Sequence, residues 1–223
     1  MPTQTPTKLR STGPRTRDPA RARAAILAAA TEVFAAQGLG GARVDEIARR
    51  AGCNKALLYH YFGNKEALYL VVLEATYERI RSAEAALDLE RLDPHEAMTR
   101  LVDFTWRYFQ DHPEFIHLVN TENLYQAKHL AASEGVHELH HPLVERIRDI
   151  LVRGVERSEF RAGVDPVQLY ITIASLGYFY LSNAPTLGVV FSRNLLSARA
   201  LGARRRHIQE VVAGFLRPEV ALG

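Results

Sequence analysis

A single cysteine, Cys53, in 223 residues leaves no intramolecular disulfide to form and suits a reducing compartment. Its place in a turn reads as packing, with a redox-sensing thiol as the lesser alternative. No alternation of apolar and polar residues marks a strand, and no segment repeats. A Gly-rich phosphate loop, a nucleophile elbow and a spaced zinc signature are all missing, so nothing points to an enzyme or a cofactor. His137, His140 and His141 in HELHH, flanked by Glu134 and Glu138, have the one-turn spacing of paired imidazole ligands. No cysteine or second cluster accompanies them, so they read as a surface run and no metal is assigned. The opening MPTQTPTKLRSTGPRTRDP has no apolar core of a signal peptide. The most hydrophobic run, about Leu169 to Leu181, is shorter than the ~20 residues of a bilayer span and contains Thr172 and Ser175. The expectation is a cytoplasmic protein without a membrane segment.

What is present is unevenly charged. The net charge of +3 divides into +7 over residues 1–65 (11 Lys and Arg against 4 Asp and Glu) and −4 over the remainder (17 against 21). A basic amino-terminal third on a mildly acidic body implies a polyanionic partner for the first part only. Residues 1–17 are rich in Pro, Thr and Arg, lack an apolar period and are expected to be disordered. Lys8, Arg10, Arg15 and Arg17 would either track phosphates or merely solubilise the tail.

Asp18-Pro19 is a helix opening, and Ile26, Ala30, Val33 and Phe34 form one stripe of a helix ended by Gly38. Val44 to Lys65, VDEIARRAGCNKALLYHYFGNK, reads as a helix-turn-helix. Ile47 and Ala48 lie on one face of the first helix, Gly52 supplies a left-handed turn, and Asn54 caps the second helix. That second helix sets Leu58 and Phe62 on one side and Lys55 with Tyr59 on the other, an apolar back and a cationic-aromatic front suited to a DNA groove.

The run AGCNKALLYHYFGNKEAL, with AAILAAATEVFAAQG upstream, resembles the signature of TetR-type transcriptional regulators over about residues 20–70. Where such proteins often carry a Thr pair before the motif, this chain has Ala42 and Arg43, so Arg43 stands in for a hydroxyl as phosphate contact. Lys55 offers donors to guanine or phosphate, Ala56 and Leu57 suit thymine methyls, and Tyr59, His60 and Tyr61 offer donors to phosphate. Tyr61 is equally readable as a packing residue. Asn54 and Lys65, at helix N-termini, complete the expected double-stranded operator contact.

The remainder reads as further helices: Lys65 to about Leu89, then about Pro94–Asp111, Pro113–Ala127, Pro142–Ser158, Asp165–Asn183 and Leu201–Leu216. The fold class expected is therefore all-α, with a three-helix head over residues 18–64 and a larger helical ligand-binding and dimerisation domain over 65–223. Two helices look too apolar for a monomer's surface. Leu169, Ile173, Leu176 and Tyr180 in one, with Ile208, Val211, Val212 and Phe215 in the other, would pair with a second copy as a homodimer; the resemblance points the same way. Simple intrachain core is the alternative.

The segment WRYFQDHPEFIHLVNTENLYQAKHL mixes aromatics with polar groups. Trp106, Phe109, Phe115, His117, Asn120, Glu122, Asn123, Tyr125 and His129, with Tyr178, are candidates for a pocket holding a small-molecule effector, or else plain core. HPEFIHLVNTENLYQAKHL and IASLGYFYLSN look similar to the carboxy-terminal domain of the pyrimidine-utilisation repressor branch of TetR regulators, which implies a ligand-binding domain without identifying the ligand. The resemblance as a whole implies a one-component repressor, released from a palindromic operator by its effector. A docking enzyme and an architectural DNA binder are rivals; the acidic body disfavours the second.

Overall fold

The computed structural model describes residues 18–218, apart from the side chains of residue 134 and residues 136–140. The basic arm over residues 1–17 and the imidazoles of His137 and His140 therefore lie outside the described residues. Among the described residues every regular element is helical.

Asp18 accepts from Ala20 N at 3.1 Å and Pro19 opens α1 (Pro19–Gly41). Gly38, at φ +65°, interrupts the helical backbone where the sequence places the stop. α1 is alanine-rich enough to match a membrane span in length and composition. Its stripe of Ile26, Ala30, Val33 and Phe34 is instead fully buried in the core of the head. α2 (Val44–Arg50) and α3 (Lys55–Phe62) follow, separated by a turn in which Gly52 takes φ +63°. Asn54 accepts from Leu57 N at 2.8 Å and Asn64 from Ala67 N at 2.7 Å, capping α3 and α4 (Lys65–Ala85).

The head's core does not stop at residue 64. Ile47, Leu58 and Phe62 pack with Leu68, Tyr69 and Val72 of α4 and with Leu118 of α6 (Pro113–Leu124). The head thus shares its interior with the elements that lead into the body. A second core joins α5 (Pro94–Asp111), α7 (Glu134–Glu156), α8 (Pro166–Ser182) and α10 (Ala198–Leu216). A third, smaller one packs Ile80 of α4 against Tyr108, Phe109, Phe115 and Ile116.

Several boundaries differ from those read in the sequence. α4 ends at Ala85, followed by a left-handed Asp88 at φ 50° and a 3₁₀ turn at Leu89–Arg91. α6 stops at Leu124 rather than Ala127, because Glu122 accepts from the backbone N–H groups of His129 (2.8 Å) and Leu130 (3.0 Å) and folds the chain back. α7 begins at Glu134, so Pro142 lies inside a helix that it was expected to open. The short α9 (Ala184–Val190) was not anticipated, and α10 starts three residues early because Ser197 caps it through Ala200 N.

Candidate nucleic-acid interface

On α3 the residues divide by face. Leu58 and Phe62 are buried, whereas Lys55, Ala56, Tyr59 and His60 are exposed and Leu57 and Tyr61 are half-buried. Lys55 Nζ lies 2.6 Å from Asp45 Oδ1 of α2, an exposed pair that a phosphate can exchange for itself at little cost. His60 and Tyr61 meet edge to face at 5.3 Å, and Tyr61 also meets Phe62 at 6.4 Å and packs against the head's core, so the exposed His60 ring rests on an anchored neighbour. Arg43 is exposed and forms no side-chain cap on α2, leaving its guanidinium available at the start of the motif. Lys65 takes a more specific position. Its Nζ donates to Leu39 O at 2.8 Å and Ala42 O at 3.3 Å, clamping the α1–α2 corner onto the start of α4. Cys53 is half-buried and packs against the head's core.

The candidate pocket residues separate into groups. Trp106, Phe109 and Phe115 are buried core, with Phe109 stacked on Phe115 at 5.6 Å. Asn120 accepts from the Tyr178 hydroxyl and donates to Ser182 Oγ at 3.0 Å, a polar knot between α6 and α8. Glu122 and His129 join at 2.9 Å beside Tyr69, whose phenol is pushed up by burial and by the Glu122 carboxylate. His117, Asn123 and Tyr125 are exposed. A helix presents different faces at these spacings, so one sequence segment serves four environments. A cavity of about 610 Å³ lies elsewhere, between α4 and α7, with Arg81 and Glu84 in its lining. Sequence reasoning missed it, because an Arg and a Glu three apart on a helix look like a solvent-exposed pair.

Of the eight expected dimer residues, Leu169, Ile173, Ile208 and Val212 are buried inside the chain, and Leu176 and Tyr180 are half-buried, joined to the same core. The inner stripe of α8 and the Ile208 and Val212 side of α10 thus pack against the chain's own second core. Val211 and Phe215 are exposed, and Val167, Ile171 and Phe179 form the outward stripe of α8, Phe179 being 56% exposed. Arg204 also points inward, donating from Nε and Nη2 to Leu176 O at 3.2 and 2.7 Å. Among the described residues no group of three His, Cys, Asp or Glu is placed to hold a metal.

A three-helix head with an exposed cationic-aromatic reading helix, joined to an all-helical body, defines a helix-turn-helix transcriptional regulator. Residues 26–72 match the family described as bacterial regulatory proteins, tetR family, and residues 94–212 match the tetracyclin repressor-like C-terminal domain. The chain is 39% identical over 191 residues to the HTH-type transcriptional repressor NicS of Pseudomonas putida, covering 86% of this chain and 90% of that protein. It is 28% identical over 210 residues to the regulator RutR of Escherichia coli K12, covering 94% and 97%. The crystal structure of the putative transcriptional regulator SCO4942 from Streptomyces coelicolor superposes with a TM-score of 0.63 at 26% identity, covering 87% of this chain and 98% of that one. The chain belongs to the TetR family of transcriptional regulators, a family of DNA-binding regulators rather than enzymes.

Proposed function

We propose that this protein is a cytoplasmic, homodimeric repressor that occupies a palindromic operator and is released by a small-molecule effector. The observation that carries the reading is the two-faced α3: Leu58 and Phe62 anchor it while Lys55, Ala56, Tyr59 and His60 stand in solvent. In a major groove, Lys55 donates to guanine or phosphate, Ala56 and Leu57 meet thymine methyls, and Tyr59, His60 and Tyr61 reach phosphates. Arg43 and the amide groups beside Asn54 and Lys65 add phosphate contacts that fix register without reading sequence. The exposed apolar residues of α8 and α10 supply the face for a second copy. An effector seated among the body helices acts through its differential affinity for two settings of α4.

The test is a titration of the protein against its own upstream intergenic DNA with excess random competitor. Tyr59→Ala, at an exposed site, is expected to weaken specific binding by roughly 1–3 kcal/mol, about 5- to 150-fold, without altering Tm. Undiminished operator affinity in this variant sinks the assignment of α3 as the reading helix. Phe179→Glu in the same preparation is expected to shift sedimentation from dimer to monomer; an unchanged dimer rules out the outer face of α8.

A further inference from the structure

Arg81 and Glu84 stand one turn apart near the end of α4, with side chains only 6% and 1% exposed. Arg81 Nη1 lies 3.0 Å from Glu84 Oε2, within ion-pair reach. The two are not aligned as a hydrogen bond: Arg81 Nε and Nη1 and both Glu84 carboxylate oxygens have no hydrogen-bond partner among the described residues. Only Nη2 is engaged, donating at 2.8 Å to the Tyr170 hydroxyl of α8, whose ring lies 5.3 Å beneath the guanidinium. Buried charged groups left in this state are costly and uncommon, and they demand a partner. Both residues line the cavity of about 610 Å³ between α4 and α7, whose wall includes the apolar Ala85, Pro142 and Leu143. That size falls within the range of small-ligand sites.

We propose that this cavity is the effector site and that its ligand is a small uncharged molecule presenting a carbonyl beside an N–H, as amides, lactams and ureides do. The word effector rests on the regulator reading above; the binding site does not. Arg81 offers only donors and the Glu84 carboxylate only acceptors, side by side. A carbonyl accepts from Arg81 while the adjacent N–H donates to Glu84, so one edge satisfies both. A ligand carboxylate would satisfy Arg81 but face Glu84, with Glu74 and Glu78 also in the lining. An ammonium group would satisfy Glu84 but face Arg81 and Arg146. Because Arg81 also holds Tyr170, a ligand here acts at once on α4, which carries the head, and on α8.

The experiment is thermal unfolding of the full chain at pH 8, above the value of about 7 to which burial raises Glu84. Benzamide, benzoate and benzylamine, matched in size, are added at equal millimolar concentration. Benzamide is expected to raise Tm by about 2–4 °C and the two charged probes by less than half of that. In the double variant Arg81→Met/Glu84→Leu, which removes both buried charges together, the benzamide shift is expected to vanish while unfolding stays cooperative. Should that variant fail to fold, Ala85→Trp, which fills the cavity from its wall, carries the same expectation. No shift with benzamide, an equal shift with either charged probe, or a shift that survives in these variants overturns the site. Operator binding is read separately on wild-type protein. Its absence sinks the regulator reading and leaves the probe result standing. A benzamide Tm shift with unaltered operator affinity overturns the effector role alone.

Discussion

Glu84 and Glu122 are equally buried, each 1% exposed, and their surroundings are opposite. At the junction of head and body, Glu122 receives the backbone N–H groups of His129 and Leu130 and the His129 ring, at 2.8, 3.0 and 2.9 Å. Between α4 and α7, Glu84 has an arginine at ion-pair distance but no hydrogen bond. A carboxylate saturated by backbone donors fixes a chain path; one left unsatisfied at a cavity wall holds recognition capacity in reserve. The first region is built to stay as it is, and the second to respond.

The comparison breaks most readily at Glu122. Glu122→Ala removes a charged acceptor from two backbone amides that have no substitute, and is expected to cost roughly 3–5 kcal/mol, seen as a lower urea midpoint. An unchanged midpoint would mean that water replaces the carboxylate freely and that the junction is not built on it.

Glu84 is expected to show the reverse sign. Burial raises its carboxyl from 4.5 to about 7 against the pull of Arg81 and Arg146. An upward-shifted carboxyl costs the fold stability as pH climbs from the unfolded value to the folded one, after which the cost is constant. Glu84→Gln lacks that cost, so its stability relative to wild type is expected to rise by about 3 kcal/mol between pH 4.5 and 7 and then level off. Parallel pH profiles for the two proteins would show that Glu84 is ionised without penalty.

A smaller effect sharpens the contrast within the head. Lys65→Met deletes two hydrogen bonds from a charged donor to the α1–α2 corner, a partly solvated site, and is expected to cost about 1–2 kcal/mol. Operator affinity should fall with it, because the corner carrying Arg43 loosens. A stability loss with operator affinity intact would separate the clamp from recognition.

The head was legible in the sequence because its determinants are local. Gly52, Asn54 and the spacing of Leu58 and Phe62 act within a few residues, and Asp-Pro pairs announce α1, α5 and α8 at their caps. What escaped depends on distant chain. On α8, Leu169 and Ile173 look as suited to a partner as Val167 and Ile171, and only the placement of α5 and α10 decides which stripe turns inward. Glu122 reads as one more polar residue in an aromatic segment until the chain returns to it. Arg81 and Glu84 become a site only when α7 covers them and Tyr170 arrives from α8.

The grip of Lys65 also has a mechanical side. One ammonium ties the opening of α4 to the far ends of α1's last turn, so the head and that helix move as a single arm. Twenty-one residues of α4 make an arm about 31 Å long. Pivoted near Arg81, the roughly 24 Å of α4 that reach back to Lys65 need a tilt of about 8° to sweep that end through roughly 3 Å, close to the rise of one base pair along a DNA strand.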